Sequence, residues 1–121
     1  MPSNTIDLKS LLFMIKENKD VEANLILDEG CFLETDDVKP LVKVINYILN
    51  YLQQLTDKPI EVGLDLRGKD YLMSFLAYTS AETLPELSNQ IEEALNPYNA
   101  SLEKKIEAGK NAQLKIHFQK N

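Results

Sequence analysis

Glycine is scarce in this chain. There are four in 121 residues, and none between Gly68 and Gly109. A stretch of that kind cannot supply the close-lying, positive-φ main chain that cradles a phosphate. One cysteine, Cys31, excludes an internal disulfide. One cysteine and one histidine, His117, cannot build a zinc site. No apolar run approaches the ~18 residues of a membrane span, and Met1 to Asp7 carries no apolar signal core. Basic residues are outnumbered 13 to 19, for a formal net charge of −6. That surface repels phosphate backbones, and no basic stripe with interleaved aromatics offsets it, so nucleic acid is a poor partner. These absences predict a cytoplasmic chain with neither membrane nor nucleic acid as partner.

The chain has 44% hydrophobic and 26% charged residues, ordinary for a globular protein. Its length suits one domain over residues 1–121. Leu8, Leu11, Leu12 and Ile15 recur at helical spacing, which predicts a helix over 5–17 with Asn4 as its cap. Val21 to Leu27 reads as a strand, Asp28-Glu29-Gly30 as a turn, and Cys31 to Leu33 as a short return strand. Residues 37–56 carry one broad apolar face, from Val38 and Leu41 to Leu52 and Leu55, with Asp36 or Asp37 as cap and Pro40 in the first turn. Ile60 to Leu66 alternates cleanly, and Tyr71 to Tyr78 is apolar on both faces. With the turn Arg67-Gly68-Lys69-Asp70 they predict an antiparallel hairpin whose second strand is the more central. Helix is expected over 83–95 and 98–107, broken at Asn96-Pro97 and closed by Gly109, before a last strand over 112–119.

This pattern gives an α+β class: a two-layer sandwich of a mixed, mostly antiparallel sheet with helices on one face. The order, from Ile6 to Gln119, resembles the ATP-binding domain of sensor histidine kinases, the GHKL or Bergerat fold. Asn46-Tyr47-Ile48-Leu49-Asn50-Tyr51 stands where that family has an N-box, roughly Asn-Leu-Leu-x-Asn-Ala. Gly109 to Phe118 resembles the family's closing strand, with one glycine and a threonine missing.

By resemblance, Asn50 would hold Mg²⁺ beside a triphosphate, with Asn46 its partner one turn earlier. An amide oxygen is a suitable hard ligand, and residues four apart share a helical stripe. The departures lie downstream. The family's Asp-x-Gly-x-Gly is replaced by Ala77-Tyr78-Thr79-Ser80-Ala81, without carboxylate or glycine, and Glu82 to Leu95 is too short for the family's ATP lid.

Other residues carry simpler readings. His117 falls on the polar side of the last strand, with no acidic neighbour in sequence. Cys31 reads as a small buried apolar group. The acidic run from Asp28 to Asp37 reads as turn and cap residues rather than a Ca²⁺ loop. Tyr47 and Tyr51, one turn apart, either anchor an interface or pack under a neighbouring helix. The resulting expectation is a non-catalytic protein-interaction module of signal transduction, of two-component or anti-sigma type. It would need no cofactor, and its partner would be a response regulator, a sigma-pathway protein or a second copy of itself. The alternatives are a kinase-like domain that binds Mg-ATP through altered loops, and a structural, homodimerising α+β domain.

Overall fold

The computed structural model describes residues 4–68 and 70–119, so Lys69 of the expected turn lies outside it. The chain runs β1 (Asn4–Asp7), α1 (Leu8–Lys19), β2 (Ala23–Leu27), β3 (Phe32–Thr35), α2 (Lys39–Gln53), β4 (Ile60–Leu66) and β5 (Asp70–Tyr78). It then continues through α3 (Gln90–Leu95), β6 (Ala100–Glu107) and β7 (Asn111–Gln119). Five strands form the main sheet in the order β2-β4-β5-β7-β6, and β1 pairs with β3 in a small two-stranded sheet. Only the β2–β4 pairing in the main sheet is parallel; the others are antiparallel.

Alternation sets the two faces of this sheet. Val62, Phe75 and Leu114 lie side by side across β4, β5 and β7, as do Leu64, Met73 and Ile116. All six are buried, and the helices cover this side. The long helix α2 contributes Leu41, Val44, Ile45, Ile48, Leu49 and Leu52 to the core, close to the apolar face expected from its sequence. The opposite face carries polar residues, with Ile26 on the β2 edge 77% exposed.

The strand over 60–66, the central strand after it and the last strand fall where the sequence puts them. Other expectations need correction. Residues 100–107 form a strand, not a helix. Ala100, Leu102 and Ile106 alternate with Ser101, Glu103 and Glu107 in a period-two pattern, and pairing with the apolar strand β7 overrides local helix propensity. Gly109, at φ 79°, makes the β6–β7 turn and caps no helix. The third helix begins only at Gln90, because Pro85 interrupts the residues before it. At the N-terminal end, residues 4–7 are a strand, so the helix cap is Asp7. Its carboxylate accepts from Lys9 N at 3.1 Å. The strand after Gly30 covers 32–35 and pairs with β1 instead of returning along β2.

The start of α2 is held from a distance in sequence. The Tyr98 hydroxyl donates to Asp37 O at 2.7 Å and accepts from Leu41 N at 3.1 Å. It satisfies one of the amides that every helix leaves without an internal partner. Burial, only partly opposed by the Leu41 amide, pushes the Tyr98 phenol above its ordinary value, so it stays a neutral donor. Tyr98→Phe strands that amide and carbonyl, and should cost about 1–3 kcal/mol in urea unfolding. A loss within error would refute this capping role.

Candidate functional site

One flank of helix α2 faces the segment 79–89, which has no regular secondary structure. On the flank facing that segment, Tyr47 and Tyr51 stand one turn apart. The Tyr51 hydroxyl donates to Pro85 O at 2.6 Å. The Tyr47 hydroxyl accepts from Ser88 N at 2.9 Å. Tyr51 is buried at 3% exposure, and burial, with Tyr47 beside it, raises its phenol pKa. It therefore acts as a neutral donor across the physiological range.

The rest of the segment is tied down at both ends. Thr79 N donates to Lys110 O at 3.0 Å and Gly109 N to Ala81 O at 2.8 Å, joining its start to the β6–β7 turn. The Ser88 hydroxyl accepts from Gln90 N at 3.2 Å as α3 begins. Leu84 and Leu87 pack partly against the core, and Ile91 and Leu95 of α3 are buried in it. Side chains thus fill the space between α2 and this segment.

Two openings remain at the ends of that contact. One, about 760 Å³, lies between the first turns of α2 and α3 beside Tyr47, with Lys39 and Lys43 on its walls and Glu93 also among its lining residues. The other, about 520 Å³, lies past the end of α2 among Gln54, Thr56, Tyr78, Thr79 and Ser80. Asn46 and Asn50 line neither opening. They sit about 100° around the helix from the tyrosines, Asn46 half-buried and Asn50 exposed. Among the described residues, neither amide side chain makes a hydrogen bond. Both tyrosine hydroxyls bond to the chain's own main chain, in an irregular segment and not under a neighbouring helix.

His117 does have an acidic neighbour, brought alongside it by strand β6. Its Nε2 lies 2.9 Å from Glu103 Oε1 across β6 and β7. The hydrogen bond to His117, helped by Lys105 and Lys115, holds the Glu103 carboxyl below its ordinary value. The pair sits on the polar sheet face. Cys31 is fully buried. Asp28 accepts from Leu66 N at 2.9 Å and Asp37 from Lys39 N at 3.0 Å, both turn contacts; the N-cap of α2 is Val38, so neither Asp36 nor Asp37 caps it as expected. Among the described residues, no group of three His, Cys, Asp or Glu could hold a metal ion.

No protein-family model and no curated protein matches the sequence. Solved structures match the fold throughout. The histidine kinase domain of the E. coli osmosensor EnvZ aligns over 100% of this chain and 91% of its own, at TM-score 0.79 and 10% identity. The Acinetobacter baumannii histidine kinase AdeS aligns over 100% of this chain and 70% of its own, at TM-score 0.77 and 6% identity. Full-length ShkA, solved in complex with AMPPNP, aligns over 98% of this chain and 32% of its own, at TM-score 0.75 and 11% identity. The fold is therefore that of the histidine kinase ATP-binding domains. No helix among the described residues is long and apolar enough to cross a membrane.

If the tyrosine hydroxyls hold the segment, removing them should loosen it locally. Tyr47→Phe should speed hydrogen exchange at the Ser88 amide several-fold, and Tyr51→Phe should lower stability by about 1 kcal/mol. Unchanged exchange at Ser88 would show that the bond is not maintained in solution.

Proposed function

We propose that this chain is a non-catalytic regulatory module that has kept the histidine kinase ATPase fold and works by binding another protein. The observation that carries this reading is the closed contact between α2 and residues 79–89, sealed by Tyr47 and Tyr51. The residues present do not fit a magnesium triphosphate there. The stretch that would wrap phosphates has no glycine, and Ala77 to Ala81 carries no carboxylate toward a base. Asn50 alone, exposed and outside both openings, is one amide where several hard ligands are needed.

A second register of the N-box likeness supports the same reading. The buried pair Ile48-Leu49 matches the motif's Leu-Leu when the motif starts at Tyr47 rather than Asn46. Tyr47 and Tyr51 then occupy the two asparagine positions. Each replaces an amide ligand with a phenol that bonds to main chain. A module without its own nucleotide chemistry transmits signals through surfaces, which is why two-component or sigma-pathway proteins are the partners in view.

A titration with Mg-ATP tests the proposal. A ligand present at ~100 times its dissociation constant stabilises the folded state by about 2.7 kcal/mol. No change in the thermal midpoint is expected at millimolar Mg-ATP. A saturable rise, lost in Asn50→Ala, would establish the ATP-binding alternative instead.

A further inference from the structure

The segment that the tyrosines hold has a second flank, which turns toward the sheet edge. Between residues 82–92 and strand β6 lies a groove of about 820 Å³. Leu84, Leu87 and Leu102 are half-buried along it, and Ile106 is 37% exposed. Leu102 and Ile106 stand on the helix-covered side of the sheet, opposite Ile116 and Ala112 of β7, which are fully buried. The covered face therefore runs to β7 and is left unfinished at β6. The groove is an open margin of the core.

Its rim has one dominant sign of charge. Glu82, Glu86 and Glu92 line it, against Lys104 alone. None of these four makes an ion pair among the described residues. We propose that this groove docks a basic amphipathic helix of a partner protein, an inference that rests on reading the chain as a protein-binding module. Apolar anchors at i, i+3 or i+4, and i+7 cover the leucines and Ile106, and flanking lysines or arginines meet the carboxylates. From Leu102 to Ile106, β6 rises about 13 Å, the length of roughly nine helical residues. A second copy of this chain is the poorer occupant, since each copy carries a net charge of −6.

The probe is a fluorescein-labelled amphipathic peptide of leucine and lysine, about 14 residues long, titrated with the full chain by fluorescence anisotropy. A scrambled peptide of equal composition without an apolar face is the control. Saturable binding of the amphipathic peptide is expected, with the scrambled one about tenfold weaker. The double variant Glu86→Lys/Glu92→Lys and the variant Ile106→Ser should each weaken binding by about tenfold, while Glu17→Lys on α1 changes it less than about twofold. Circular dichroism confirms that each variant is folded. The proposal is overturned if the amphipathic peptide does not bind, if both peptides bind alike, or if Glu17→Lys weakens binding as much as the rim variants. A dimer in sedimentation that Ile106→Ser dissociates would overturn it too, by giving the groove to a second copy. The outcomes also separate the groove from the wider reading. Failed peptide binding without a Mg-ATP response removes only the groove. A Mg-ATP response with peptide binding intact removes only the non-catalytic reading.

Discussion

Two phenolic hydroxyls on one helix do what the rest of this structure depends on. Residues 79–89 have neither helix nor strand ladder to satisfy their main chain, and such a segment stays in place only if other groups supply its hydrogen bonds. Tyr51 gives Pro85 a donor and Tyr47 gives Ser88 an acceptor. Each bond contributes about 0.5–1.5 kcal/mol on its own. Their rings also fill the space over α2, which makes the contact worth more than the bonds. Tyr98 applies the same device to the start of α2, so three tyrosines fasten loops and a helix end to one core.

This use of tyrosine explains how a histidine kinase fold can persist without the glycine-rich loops expected of it. Glycine loops remain open because their main chain is free to approach a ligand. The segment here carries Leu84 and Leu87, which bury apolar surface against the protein itself. The bonds and packing that hold it come from the chain's own residues. At β6, the edge strand, the cover stops short and Ile106 is left exposed.

Most of the fold was legible in the sequence, and the exceptions have physical causes. Clean alternation fixed β4, and the broad apolar stripe fixed α2, because each pattern buries one face. Residues 100–107 misled because Lys104 and Lys105 sit mid-strand, and charged, helix-favouring residues hide the period of two. That misreading also hid the Glu103 partner of His117. Asn46 and Asn50 were legible as a pair but not as to direction. A one-residue shift on a helix turns a side chain by about 100°, so the pair's spacing alone does not say which flank it faces. For the same reason, the sequence left open whether Tyr47 and Tyr51 faced a partner or their own chain.

The central claim is that the chain's own side chains occupy the space between α2 and residues 79–89. A crystal structure grown with magnesium and a non-hydrolysable ATP analogue tests it most directly. It should show the Tyr47 and Tyr51 hydroxyls still on Ser88 and Pro85, with no nucleotide between the helix and the segment. An analogue lodged there, with the segment displaced and an asparagine of α2 on the metal, would contradict the account.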